Sequence, residues 1–151
     1  MVRAILAVVA GYIVIALLAA GLFVGLWIVL GVDGVLQPGT FQGNMTLNVA
    51  AVVISLIAAI AGGWMCAKIA KSRTPPRVLA GIVLVLGLAM ALSGINKPDP
   101  GPRVPGLTVF QALQQGKEPT WYALLNPFLG ATGVLIGCGA ARKSVRPRSD
   151  Q

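Results

Sequence analysis

From Met45 to Ala67 the chain carries no charged side chain, and directly after it Lys68, Lys71, Arg73 and Arg77 make a basic patch. Twenty-three helical residues at a rise of roughly 1.5 Å each reach about 35 Å, enough to cross a hydrocarbon core of about 30 Å. A basic patch at one end of such a run fixes which end faces the cytoplasm. Three similar runs accompany it, so the expected spans are about 4–31, 45–68, 77–95 and 119–141. Loops at 32–44 and 96–118 are expected outside. A basic elbow at 68–77 and a basic tail at 142–151 are expected inside.

Composition agrees with lipid as the solvent. Hydrophobic residues make up 56% of the 151, and charged residues only 11%, against about 25% in soluble domains. A soluble globule of this size has too little interior for so much apolar surface. One membrane domain, 1–151, is therefore expected, with no separate soluble unit.

The net charge of +8 comes from cations placed at membrane edges. Arg3, Lys68, Lys71, Arg73, Arg77, Arg142, Lys143, Arg146 and Arg148 fall on one side of the predicted spans, and Lys97, Arg103 and Lys117 on the other. The positive-inside rule then puts both termini in the cytoplasm, with the basic face against anionic headgroups. A nucleic-acid module needs a basic face interleaved with exposed aromatics, and none is visible, so no nucleic-acid partner is expected.

Reactive groups are scarce. The chain has no His, which removes the commonest metal ligand and the commonest general base near neutral pH. Cys66 and Cys138 form no CxxC and read as small residues in packing faces. Asp99 and Glu118 lie in a loop without a nucleophile–base pair. Neither catalysis, a cofactor nor a metal is expected.

The small residues carry the clearest pattern. Ala51, Ser55, Ala58, Ala59, Gly62, Gly63 and Cys66 share one face of span 2, while Val53, Leu56, Ile57, Ile60 and Trp64 fall largely opposite. Ala80, Gly87, Ala91 and Gly94 make a thinner stripe on span 3. Asn126, Gly130, Gly133, Gly137 and Ala141 share a face of span 4. In lipid, helices associate through close backbone approach rather than through burial of apolar surface. These stripes, with Gly21-x-x-x-Gly25 and Gly133-x-x-x-Gly137, are therefore expected packing faces, within the chain or between protomers.

Polar groups inside the spans are few. Asn126 precedes Pro127, so either the helix kinks there or Asn126 caps a shorter helix beginning at Pro127. Asn126 and Thr132 are the intramembrane polar candidates, with Ser55 near them in depth. Hydroxyls in such places usually bond back to a carbonyl one turn earlier. Trp27, Trp121 and Tyr122 are expected at the outer interface. Asn44 is expected to cap span 2. In loop 2, Leu107, Phe110 and Leu113 at helical spacing predict a short interfacial helix behind the Pro-rich stretch 97–106.

Asp33-Gly34 with Gln37-Pro38-Gly39, then Gly62-Gly63-Trp64 and Ala67-Lys68-Ile69-Ala70, resemble uncharacterised small four-span proteins of bacterial inner membranes. The resemblance implies a location and brings no activity. The chain is also similar in size to small four-helix multidrug exporters, but that family depends on a Glu in its first helix, and span 1 has none. Quinone-linked thiol oxidoreductases need a CxxC, which is also missing.

The expectation is thus an all-α membrane protein. It has four transmembrane helices in an antiparallel bundle, N-in and C-in, in a bacterial inner membrane. The expected role is a non-catalytic, self-associating or complex-associated subunit, its partners being copies of itself or other membrane proteins. The alternative is a small passive or lipid-like-substrate transporter with a weakly polar path near Asn126.

Overall fold

A computed structural model describes residues 2–72, 74–96, 101–102, 106, 108, 111–112, 115–116 and 118–143, with the side chains of 142 and 143 excepted. It contains four long helices: α1 Val2–Val35, α2 Met45–Ala70, α3 Thr74–Ile95 and α4 Thr120–Lys143. Each is long and apolar enough to cross a membrane.

Helix limits differ from expectation where local chemistry allows more helix. Pro75 and Pro76 fall in the first turn of α3, where a missing N–H costs nothing. The elbow expected at 68–77 therefore shrinks to the residues between Ala70 and Thr74. Its turn is made by Lys71, with φ 55°, whose N–H donates to the Ala67 carbonyl at 3.1 Å.

Within α1, Gly31 breaks the helical path with φ 66° and ψ 177°, a region open essentially to glycine alone. A methyl group there would meet nothing within 4 Å, so the demand is purely conformational. Gly31→Ala is expected to cost about 1–3 kcal/mol in detergent unfolding, against little change for Gly139→Ala, which also has open space around it.

The 36–44 connection is tied at both ends. Pro38-Gly39, with φ 72° at Gly39, fits the central pair of a type II turn, and the Thr40 N–H donates to the Gln37 carbonyl at 3.3 Å. The Asn44 side-chain oxygen accepts from the Leu47 N–H at 2.8 Å, capping α2. Its Nδ2 donates to the Gly34 carbonyl at 2.7 Å, joining the cap to the end of α1.

The helices meet through small residues, and contact order gives their sense. A methyl placed on Gly133 would lie 2.7 Å from the Ala59 Cβ; one on Gly137 would strike the Ile60 carbonyl and lie 2.8 Å from the Trp64 N. Numbers rise together along α2 and α4. On α1 and α2 they run oppositely: Arg3 Nε donates to the Ile69 carbonyl at 2.8 Å, while Trp27 clusters with Leu47. On α3 and α4, Gly87 meets Pro127 and Val83 meets Gly130, again in opposite order. α2 and α4 thus form a central pair, with α1 against α2 and α3 against α4.

One core cluster joins Ala7, Ala59, Cys66, Leu79, Ala80 and Val134; another joins Trp27, Val35, Leu36, Phe41, Leu47 and Ala112. Ala51 and Ala91 are buried too. The first cluster is built mostly of small side chains, so its cohesion comes from many short dispersion contacts between close backbones.

In loop 2 the described residues make helical-type bonds. The Ala112 N–H donates to the Thr108 carbonyl at 3.0 Å and the Gly116 N–H to the Ala112 carbonyl at 2.8 Å. Thr108 and Gln111 exchange side-chain bonds in capping-box fashion. Leu107, Phe110 and Leu113, which carried that expectation, lie outside the described residues.

Candidate functional site

Polar chemistry gathers where the end of α1, the 36–44 connection, the start of α2 and the approach to α4 meet. Asn48 is buried on α2, one turn beyond the Asn44 cap. Its Nδ2 reaches the Gly43 carbonyl only at 3.5 Å. Two turns further along the same face, Ser55 faces the hydroxyl of Tyr122 of α4. Tyr122 is only 2% exposed, while its neighbour Trp121 is 55% exposed and meets it edge to face at 6.0 Å.

Trp27 completes the group. It was expected at the lipid interface; the structure instead buries it to 2% exposure in the cluster with Leu36, Phe41 and Leu47. Leu36 and Phe41 of the 36–44 connection, with Ala112, cover it. Among the described residues its indole N–H has no partner.

A cavity of about 60 Å³ opens among these residues, walled by Phe23, Trp27, Leu36, Leu47, Asn48 and Glu118. Glu118 keeps an exposed side chain at its rim, and its carboxyl lies above the usual carboxylate range because apolar surroundings disfavour its charged form.

Asn126 lies deeper. It does not start a helix: α4 begins at Thr120 and runs through Pro127, so the reading of Asn126 as a cap is set aside. Asn126 Oδ1 is buried without a partner among the described residues. Pro127 cannot donate to the Ala123 carbonyl one turn back, and its ring docks on Gly87, where a methyl would lie 2.9 Å away.

Thr132 stands apart. It is exposed, and its hydroxyl donates to the Phe128 carbonyl at 2.8 Å. Ser55 instead faces Tyr122 across the helix pair.

Of the expected packing residues, Gly62 faces Gly11 and Ile15, Gly63 faces Val134, Gly87 faces Pro127, and Gly130 faces Val83. Gly133 and Gly137 face α2. Gly21 and Gly25 are placed differently, since a methyl on either would meet nothing within 4 Å. The glycine face of that stretch is open, while Phe23 between the two glycines packs on the Trp27 cluster.

Arg3, Lys68 and Lys71 share the opposite end of the bundle, tied by the Arg3–Ile69 bond, with Lys68 Nζ 4.0 Å over the Trp64 ring. Arg77 is exposed near the start of α3. Arg142 and Lys143 fall in the last turn of α4, while Arg73, Arg146 and Arg148 lie outside the described residues. Cys66 and Cys138 are free thiols, both buried.

Among the described residues no three His, Cys, Asp or Glu side chains converge to hold a metal ion. Comparison with protein-family models, curated proteins and solved structures found no match.

Asn48 was missed in the sequence, and Tyr122 was read as an interface residue beside Trp121, whereas the structure buries it to 2% exposure. Asn48 stands seven positions before Ser55 and three before Ala51, so it extends the small face of α2. Tyr122 stands four before Asn126 on the packing face of α4.

Proposed function

We propose that the chain crosses a bacterial inner membrane four times as an antiparallel bundle, with both termini cytoplasmic. The turn around 108–116 lies at the outer interface, and the protein serves as a non-catalytic, self-associating subunit. The gathering of Arg3, Lys68 and Lys71 at one end supports the orientation through the positive-inside rule. The bacterial location rests on the resemblance noted above.

One observation carries the association. Gly11, Gly62, Gly63, Gly133 and Gly137 all sit against a neighbouring helix, whereas Gly21 and Gly25 have nothing within reach. Only 6% of the most apolar stretch of α1 is buried, against 33% for α2. In lipid, small residues one turn apart let two backbones approach closely, and a second α1 is the partner this face fits.

Single-molecule photobleaching in bilayers tests it. The wild type is expected to bleach in more than one step, and Gly21→Ile with Gly25→Ile in one. A wild type that stays monomeric and copurifies with no other membrane protein contradicts the reading.

The partnerless Asn126 oxygen favours a second reading, a passive path for small or lipid-like solutes beside α4. Flux in proteoliposomes that disappears in Asn126→Leu supports it, and no flux across a broad solute panel removes it.

A further inference from the structure

We propose that the cavity beside Trp27 and Glu118 is a binding site for an aminoethyl phosphate group, the headgroup chemistry of phosphatidylethanolamine. The inference rests on the membrane placement proposed above and is independent of self-association.

Size is the first argument. A cavity of about 60 Å³ has room for roughly four to six water-sized atoms. An aminoethyl group with its ester oxygen has four heavy atoms. The walls from Phe23, Leu36 and Leu47 suit its two methylenes.

The polar groups fit its two ends. Glu118 at the rim is a carboxylate in surroundings that penalise an uncompensated negative charge, and an ammonium group relieves that penalty. Trp27 contributes a buried N–H with no partner among the described residues, and a phosphate or ester oxygen supplies an acceptor for it. Asn48, buried in the same wall and held only by a 3.5 Å bond to the Gly43 carbonyl, adds an amide able to turn either pole toward the ligand.

The competing chemistries fit less well. A phosphatidylglycerol headgroup brings no cation to Glu118. A choline group is larger by three methyls and has no N–H to donate.

Native mass spectrometry of the purified full chain, exchanged in turn into phosphatidylethanolamine, phosphatidylcholine and phosphatidylglycerol nanodiscs, tests the site. One phosphatidylethanolamine per chain is expected to stay bound. Glu118→Gln is expected to weaken retention about tenfold, the loss of one charge-assisted hydrogen bond. Trp27→Phe is expected to weaken it less, and exposed Trp121→Phe not at all.

Soluble phosphoethanolamine is added as a competitor. Failure to displace the lipid assigns the bilayer as the source, and full displacement assigns the soluble compound. Equal retention of all three lipids, or Glu118→Gln and Trp27→Phe both binding as wild type with helical content intact, overturns the proposal. The oligomer count from photobleaching does not enter either result, so the two ideas fail separately.

Discussion

Gly63→Leu separates α2 from α4 and costs the bundle on the order of 3 kcal/mol or more. A methyl at Gly63 would strike the Val134 carbonyl oxygen and lie 2.7 Å from the Val134 Cα. Those are backbone atoms, which cannot rotate away as a side-chain end would. The axes must move apart, and the contacts at Ala59–Gly133 and Ile60–Gly137 weaken together. Overpacking a tight core typically costs about 1–3 kcal/mol, and here a whole leucine is forced against backbone. Gly137→Leu is expected to behave alike, since the same helix pair closes there. Gly81→Ala, on α3, is the control: nothing lies within 4 Å of it, and alanine favours helix over glycine by roughly 0.5–1 kcal/mol. Unfolding in mixed micelles, followed by circular dichroism, reads all three. Wild-type unfolding in both leucine variants contradicts the described α2–α4 contact.

Trp27→Ala is expected to cost about 3–5 kcal/mol, the usual range for removing a buried aromatic, while Trp121→Ala stays within about 0.5 kcal/mol. Trp27 is 2% exposed and packs on Val35, Leu36, Phe41 and Leu47. Its removal leaves a void beside the existing cavity and loosens the 36–44 connection. Trp27→Phe is expected to cost much less, because it keeps most of the ring and removes an N–H that has no partner among the described residues. Hydrogen exchange across 36–44 localises the effect: protection falls there in Trp27→Ala and is kept in Trp121→Ala. Equal destabilisation by the two alanines contradicts the buried placement of Trp27.

These two tryptophans show what the sequence holds and what it withholds. Both stand near the end of an apolar run, so both read as interface anchors. The difference arises from the 36–44 connection and Ala112, which fold over Trp27 and leave Trp121 uncovered. Folding-over is a tertiary event with no signature in spacing. The span count, by contrast, was legible, because run length against bilayer thickness is arithmetic on consecutive residues.

The stripes were legible as faces and not as partners. Gly133 and Gly137 had to face something; that it would be α2 with rising numbers, rather than a chain neighbour, needed coordinates. The resulting order places the second helix of each hairpin at the centre and the first outside, the same place for each hairpin. Gly21 and Gly25 show the limit from the other side, since their spacing matches Gly133 and Gly137 while no described residue comes within 4 Å of a methyl built there.

The polar group was half legible. Asn126 was visible because it is strongly polar inside a span, and its unpartnered oxygen justifies singling it out. Thr132 was read with it, but one residue is about 100° on a helix, and that turns its hydroxyl away from the face that Gly133 occupies. Asn48 escaped notice beside the Asn44 cap, although it lies on the extrapolated small face of α2.

The account depends most on four crossings of a bilayer. Reporter tags placed in turn at Met1, after Gln151 and within 96–118 of the membrane-inserted protein test this directly, read by labelling in sealed vesicles. Both termini are expected to label from the face opposite to the 96–118 tag, with the chain resisting extraction by alkaline carbonate. Termini on opposite faces, or a chain that carbonate washes away, contradicts the account.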